Sequence, residues 1–224
     1  MSAGADRLPI VVLISGSGSN LRAIAEGARS GTLPVEIRAV ISYRADAAGL
    51  AWAADAGLPA LAISPRDYAD RTAFDRALAD RIDDYAPRLV VLAGFMRILG
   101  REFVERFAGR MLNIHPSLLP RHRGLRTHQR ALEAGDAVHG ASVHFVTPEL
   151  DGGPVVLQAR VPVRADDDEA TLAARVLAQE HRIYPQCIGW YATGRLHFRD
   201  GAVVLDGRVL ESPLVVEASD EVAA

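Results

Sequence analysis

The stretch that decides the fold is LPIVVLISGSGSN, residues 8–20. Its first half, Leu8 to Ile14, is a continuous apolar run rich in Val and Ile, which is typical of a strand buried on both faces of a parallel sheet. Ser15 and Gly16 close the run, and apolar residues at helical spacing follow from Leu21 to Ala28. A strand, a glycine-rich turn and a helix in this order predict the first unit of an α/β domain.

The same alternation continues through the first half of the chain. Apolar runs predict strands at 37–41, 61–63 and 88–93, and helical spacing predicts helices at about 47–56 and 68–85. Strands that alternate with helices indicate parallel pairing, because each crossover helix returns the chain to the same edge of the sheet. The predicted fold class is therefore α/β, with a Rossmann-like, mostly parallel sheet flanked by helices.

The second half of the chain has a different order of elements. The predicted elements are a helix near 102–107, a strand at 111–114, a polar loop at 117–124, a helix near 128–134, strands at 141–147 and 155–163, and a helix at about 171–191. Asp206-Gly207, at the centre of 203–210, is a hairpin signal. Residues 211–224 are acidic and poor in aromatic residues, so we expect a loose tail there.

Composition and charge limit the function classes. The chain has 224 residues, of which 49% are hydrophobic, enough to bury a sizeable core as a soluble globular protein. Its 25 Lys and Arg are offset by 28 Asp and Glu, which argues against a general nucleic-acid binder. No apolar run approaches the roughly 18 residues that a membrane span needs. Residues 1–8 are too short and too polar for a signal peptide, so we expect a cytoplasmic protein without a membrane partner.

The glycine-rich turn has free N–H groups and lies at the positive end of a helix dipole, so it is placed to hold an anion. A dinucleotide fingerprint would need a small residue where this chain has Leu21, and a carboxylate where it has Ser42-Tyr43-Arg44. A P-loop would need a lysine, and none is nearby. What remains is a monophosphate cradle made by Gly18, Ser19 and Asn20. The alternative is a tight turn in which Ser19 or Asn20 caps the helix.

A second stretch, NIHPSLLPR at 113–121, places a carboxamide and an imidazole two residues apart. On a strand, a period of two puts Asn113 and His115 on one face, and Pro116 should end the strand because it has no N–H. The pair then lies at the carboxyl edge of the sheet, where folds of this class build their sites. Taken singly, His115 could be a buried imidazole satisfied by backbone and Asn113 a loop cap.

Five motifs in this order resemble the formyltransferase family, whose members take a formyl group from 10-formyltetrahydrofolate. Within it the resemblance is to the enzymes that formylate glycinamide ribonucleotide in purine biosynthesis. The resemblance covers about Pro9 to Arg199, and its motifs are at 15–20, 93–99, 113–121, 139–144 and 149–154. It implies a formyltransferase fold, with 10-formyltetrahydrofolate as co-substrate, glycinamide ribonucleotide as acceptor, and no metal.

The resemblance also implies a catalytic group. Asn113 and His115 would stabilise the oxyanion and relay protons, and the carboxylate of Asp151 would raise the pKa of His115 by favouring its charged form. Spacing alone does not select Asp151, because 36 residues separate it from His115 and Asp-Gly-Gly is more often a plain turn.

The binding residues follow from the same resemblance. The ribonucleotide is expected at Gly18, Ser19, Asn20 and Glu180, and the folate is expected at Arg71, Met96, Arg97, Ile98, Leu99 and Asn113. Three of these have plainer interpretations: Arg71 as an exposed helix arginine, Ile98 as core packing and Glu180 as a solvated charge. Metal dependence is not expected, because the histidines near His115 have no compact ligand spacing.

These observations predict one catalytic domain at 8–199, preceded by an N-terminal extension at 1–7. Its first half, 8–100, would be the Rossmann-like phosphate-binding half and 101–199 the folate and catalytic half, followed by a hairpin and loose acidic tail at 200–224. Two other functions stay open. One is a formyltetrahydrofolate hydrolase or another formyltransferase of the same fold, and the other is a non-catalytic nucleotide-binding sensor domain.

Overall fold

The computed structural model describes residues 7–218. Residues 1–6 of the predicted extension and residues 219–224 of the predicted tail lie outside the described residues. The strands are β1 Leu8–Ile14, β2 Val35–Ser42, β3 Ala60–Ala62, β4 Leu89–Leu92, β5 Met111–His115, β6 Val138–Phe145, β7 Val155–Pro162, β8 Leu196–Arg199, β9 Ala202–Leu205, β10 Arg208–Val209 and β11 Leu214–Glu217. The helices are α1 Ser19–Ser30, α2 Ala48–Asp55, α3 Arg71–Asp83, α4 Arg101–Arg106, α5 Thr127–Glu133 and α6 Glu169–Ala192.

Eight strands form the main sheet, in the order β11-β7-β6-β5-β4-β1-β2-β3. Strands β1 to β5 are paired in parallel, β6 runs antiparallel between β5 and β7, and the remaining three strands form a small antiparallel sheet. The predicted α/β fold with a mostly parallel, helix-flanked sheet is therefore confirmed.

The sheet is buried because each face carries its own apolar layer. One layer joins residues such as Ile10, Val12 and Leu112 to the inner face of α6 through Ile183 and Ile188. The other layer packs the opposite strand faces against α3 and α4. The seven-residue run of β1 is apolar throughout because both of its faces are covered in this way.

The predicted loose tail is wrong for residues 214–217. These residues form β11, which pairs in parallel with the edge strand β7, with Leu214 opposite Leu157 and Val216 opposite Ala159. Without β11, the backbone groups along this edge of β7 would have no strand partner. The short apolar run at 214–217 provides that partner through backbone hydrogen bonds. The sequence analysis also missed β8, which extends the predicted hairpin into a three-stranded sheet.

One buried hydroxyl connects α6 to the ends of the two central strands. The Tyr184 hydroxyl lies 2.9 Å from the Leu92 carbonyl oxygen and 2.8 Å from that of Leu112, so its single hydrogen is shared between β4 and β5. Tyr184 is fully buried. Because Leu92 is paired with Asn113 in the sheet, this bond lies beside the predicted catalytic strand end.

We expect Tyr184→Phe to lower the free energy of unfolding by about 1–2 kcal/mol, because it leaves two buried carbonyl groups without this donor. Urea unfolding of the two proteins measures the difference. Tyr85→Phe is the matched control, since Tyr85 accepts a hydrogen bond from Arg38 through its backbone carbonyl, which the substitution leaves in place. Equal losses in the two variants would contradict the importance of the Tyr184 bond.

Candidate active site

Asn113 and His115 lie on one face of β5, as the period of two predicts. Between them Ile114 points into the core layer that contains Leu112. In the antiparallel pairing with β6, Asn113 is opposite His144 and His115 is opposite Ser142. Two polar pairs therefore meet at the carboxyl end of β5.

His144 fixes the orientation of the Asn113 amide. Its Nδ1 lies 2.9 Å from the Phe145 carbonyl oxygen, which can only accept, so Nδ1 carries the hydrogen. Its Nε2 is then the acceptor for Asn113 Nδ2, 3.0 Å away. Because an amide nitrogen has two hydrogens, Asn113 keeps one donor for a ligand.

His115 is held from both sides. Its Nε2 lies 3.0 Å from the backbone carbonyl oxygen of His122, and its Nδ1 lies 3.6 Å from Asp151 Oδ2. Asp151 is also 3.9 Å from His144 Nε2 through its other oxygen. The structure therefore brings Asn113, His115 and Asp151 together around His144.

The loop at 121–126 touches this group. The backbone N–H of Gly124 donates to Asp151 Oδ2 over 2.9 Å, and the Arg123 guanidinium pairs with Glu149. Asp151 has φ +46°, a left-handed conformation that non-glycine residues rarely adopt. Its carboxylate is thus fixed by the β6–β7 connection on one side and by this loop on the other.

The glycine-rich turn has the geometry of an anion cradle. Gly18 precedes α1 with φ +73°, and no side chain caps the helix. A Cβ on Gly18 would lie 2.7 Å from the Cα of Gly49, so the turn packs directly against the start of α2. The first N–H groups of α1 are left without helical partners and can bind an anion.

Asn20 lies in this turn, but its side chain points inward. Its Nδ2 donates to Glu180 Oε2 over 2.7 Å, and both residues are buried. In this structure the Asn20 side chain is therefore engaged with Glu180, and the monophosphate cradle at Gly18, Ser19 and Asn20 stays a prediction. Asn20 Oδ1 is buried without a hydrogen-bond partner among residues 7–218, so it is available as an acceptor.

Comparisons with known proteins agree on one family. The family model for formyl transferases matches residues 8–188. The chain belongs to the formyl transferase family. A curated phosphoribosylglycinamide formyltransferase of Escherichia coli (strain K12) is 56% identical over 201 residues, which cover 90% of this chain and 95% of that relative.

Other relatives are a longer protein and a solved structure. The trifunctional purine biosynthetic protein adenosine-3 of Homo sapiens is 42% identical over 87% of this chain, which corresponds to 19% of that protein. A solved phosphoribosylglycinamide formyltransferase from Coxiella burnetii superposes with a TM-score of 0.88 at 52% identity, covering 93% of this chain and 99% of that one. The family fold predicted from the motifs is thereby confirmed.

This formyl transferase has a cleft beside Asn113. Residues from β4, the β4–α4 connection, α4, β5, β6 and the β6–β7 connection line it: Leu92, Phe95, Arg97, Ile98, Leu99, Val104, Asn113, His144 and residues 146–151. Ile98 is 57% exposed and Leu99 is buried, so the core-packing interpretation fits Leu99 rather than Ile98. Met96 is 61% exposed and does not line the cleft.

The two arginines predicted to contact folate make different contacts with α3. The Arg97 guanidinium stacks over Phe74, 4.8 Å from the ring centroid, and over Tyr43 at 5.5 Å. Arg71 begins α3 outside the cleft lining, half-exposed, with Nε 3.6 Å from the buried carboxylate of Asp75. Asp75 in turn accepts a hydrogen bond from the backbone N–H of Gly100 over 2.8 Å. Both arginines are thus joined to α3.

Burial sets the charge state of two residues in this formyl transferase. It lowers the pKa of His144 to about 4, so the ring is neutral near pH 7 and remains the acceptor for Asn113. It raises the pKa of Glu180, and the hydrogen bond from Asn20 opposes that rise.

The sequence analysis missed three contributors. His144 lies in the motif at 139–144 but was given no role, although its alternation with Ser142 places both side chains on one face of a strand. Ser15 also contributes, because its hydroxyl donates to the Gly94 carbonyl over 2.6 Å and accepts from the Met96 N–H over 3.2 Å. For Tyr184, the sequence offered no signal beyond its helical spacing.

Among residues 7–218 no group of three His, Cys, Asp or Glu side chains is arranged to hold a metal ion. No helix in that range is both long and apolar enough to cross a membrane.

The neutral state of His144 makes a pH prediction. Because its folded pKa of about 4 lies below the ordinary 6.5, the unfolded chain takes up this proton first as the pH falls. The contribution of the neutral His144 ring to folding stability is fully present above pH 6.5 and is lost as the pH falls from 6.5 to about 4. We expect His144→Gln to flatten the pH dependence of the free energy of unfolding by up to ~1.4 kcal/mol per pH unit. His197→Gln, in the small sheet, should keep the wild-type slope, and an unchanged slope in His144→Gln would contradict the assignment.

Proposed function

We propose that this formyl transferase is a phosphoribosylglycinamide formyltransferase. It transfers the formyl group of 10-formyltetrahydrofolate to the amino group of glycinamide ribonucleotide in purine biosynthesis, with the predicted cytoplasm as its location. The observation that carries the proposal is the convergence of Asn113, His115 and Asp151 beside a cleft, in a chain 56% identical to a phosphoribosylglycinamide formyltransferase over almost its whole length.

The acceptor is assigned to the glycine-rich turn. Its phosphate would accept hydrogen bonds from the backbone N–H groups of Gly18, Ser19 and Asn20 and would be stabilised by the positive end of α1. Glu180 and the free Oδ1 of Asn20 would accept hydrogen bonds from the rest of the ribonucleotide. This assignment joins residues from both predicted halves of the catalytic domain, since Glu180 lies beyond residue 100.

The donor is assigned to the cleft. A flat pterin needs apolar walls with polar groups at its rim, and Ile98 and Leu99 supply walls while the backbone of 96–99 supplies polar groups. The carboxylate end of the folate would meet cationic Arg97 at the wall of the cleft and Arg71 outside it. Asn113 would lie where the formyl group meets the acceptor amine.

The chemistry follows from the orientation of the three groups. The neutral amine attacks the formyl carbon, and the oxyanion that forms accepts the remaining N–H of Asn113. His115 carries the proton between the attacking nitrogen and the departing N10, and Asp151 stabilises its charged form. When the bond from carbon to N10 breaks, N10 has gained the proton that the amine lost.

A spectrophotometric assay tests the function. With 10-formyltetrahydrofolate and glycinamide ribonucleotide together, we expect deformylation of the folate with equal formation of formylated ribonucleotide. With the folate alone we expect no turnover above the spontaneous rate. Turnover without the acceptor would indicate a hydrolase, and no folate binding by calorimetry would indicate a sensor domain.

Asn113→Ala should lower kcat by about 10²–10³, the usual cost of removing an oxyanion donor. Steady-state kinetics at saturating concentrations of both substrates measure this. Gln129→Ala is the control, because this amide bonds Glu133 on the exposed side of α5 and should leave kcat within twofold of wild type. A kcat near the wild-type value in Asn113→Ala would contradict the role of the amide.

A further inference from the structure

We propose that His122 and Asp136 are a positioning pair that holds the backbone carbonyl of His122 against His115 Nε2 and so keeps His115 Nδ1 as the proton-exchanging nitrogen. This inference rests on the proposed function, because it assigns the geometry of the same catalytic imidazole. Neither residue is in the group predicted from the sequence, and neither lines the cleft beside Asn113.

The first observation is backbone strain at His122. This residue has φ +52°, in the left-handed region that side chains other than glycine rarely adopt. Such a conformation is unfavourable and persists only where the surroundings hold it. Here it turns the His122 carbonyl oxygen toward His115 Nε2, 3.0 Å away. The strain is therefore located at the contact with the catalytic ring.

The second observation is what holds His122. Its Nε2 donates to Asp136 Oδ2 over 2.7 Å, and the two side chains are only 11% and 4% exposed. Asp136 follows α5, and its own N–H donates to the Ala131 carbonyl oxygen over 3.1 Å. Its other carboxylate oxygen accepts from Arg121. The anchor is thus a buried carboxylate that is fixed by a helix end and uses both of its oxygens within the loop.

The third observation concerns the proton on His115. A carbonyl oxygen can only accept, so the bond to His122 requires a hydrogen on Nε2 in the neutral ring. The lone pair is then on Nδ1, which lies 3.6 Å from Asp151 Oδ2. A proton that arrives at Nδ1 is stabilised by this carboxylate. Without the carbonyl, the carboxylate would attract the ring hydrogen to Nδ1, since charge-assisted hydrogen bonds are the stronger ones.

The same loop also sets the position of Asp151. Gly124, two residues after His122, donates its N–H to Asp151 Oδ2 over 2.9 Å. One anchored loop therefore contacts both His115 and its carboxylate. Around the anchor, the His139 ring lies 6.0 Å from that of His122, and burial lowers the pKa of His139 to about 4. Because a neutral His139 does not compete as a cation for the Asp136 carboxylate, this carboxylate pairs with His122 and Arg121.

Kinetics and NMR together test the proposal. In His122→Phe and in Asp136→Leu we expect kcat to fall about tenfold, while KM for both substrates stays within twofold. In the double variant we expect kcat to be about as low as in the more affected single variant, because both changes break the same anchor. Asp136→Asn keeps an acceptor for His122 and should retain kcat within threefold. The matched control, His197→Phe, should behave as wild type.

The ring tautomer distinguishes positioning from a merely structural loss. In protein labelled with ¹⁵N-histidine, neutral His115 should be protonated on Nε2 in the wild type, in Asp136→Asn and in His197→Phe. In His122→Phe and Asp136→Leu the Nδ1-protonated form should become the major one. Folded variants that keep the wild-type tautomer, or losses in kcat that multiply in the double variant, would overturn the proposal. The tautomer is read without turnover, so a wild type that fails to transfer formyl would contradict the proposed function separately.

Discussion

The antiparallel pairing of β5 with β6 is the constraint on which the site depends. In an otherwise parallel half-sheet, this reversal puts His144 opposite Asn113 and Ser142 opposite His115. It also returns the chain through the β6–β7 connection, which places Asp151 over the end of β5. The return is tight, because a Cβ on Gly153 would lie 1.9 Å from the Phe145 carbonyl oxygen. Glycine at this position thus lets the Asp151 carboxylate, distant in sequence, reach His115.

Burial then gives each polar side chain a fixed role. His144 is enclosed and neutral, so it accepts from Asn113 and leaves one amide hydrogen for a ligand. Ser142, also buried, donates to the Ser117 carbonyl over 2.6 Å and accepts from the Leu119 N–H over 3.0 Å, which fixes the loop that leaves β5. A satisfied network of this kind is rigid, because every broken bond would leave a buried polar group unpaired.

The sequence predicted what depends on local pattern. The periodicity of β1, the helix at α1 and the shared face of Asn113 and His115 each follow from residues close together in the sequence, and all three are present. The inward turn of the Asn20 side chain could not be predicted, because its partner Glu180 is 160 residues away. The strand at 214–217 was missed for a similar reason: a short exposed run becomes a strand only where another strand offers a free edge. Asp151 could be selected only through the family resemblance.

Helix α6 connects the two regions that the proposed function assigns to the substrates. Glu180 and Tyr184 are one turn apart on its buried face, and they reach different elements, α1 and the main sheet. Glu180 bonds Asn20 beside the glycine-rich turn, whereas Tyr184 bonds the carbonyl groups of Leu92 and Leu112 beside Asn113. One helix therefore contacts both regions and fixes the separation between them. In the proposed function, transfer between two bound molecules depends on holding their reacting atoms close and aligned, so this spacing would contribute to catalysis alongside the three polar side chains.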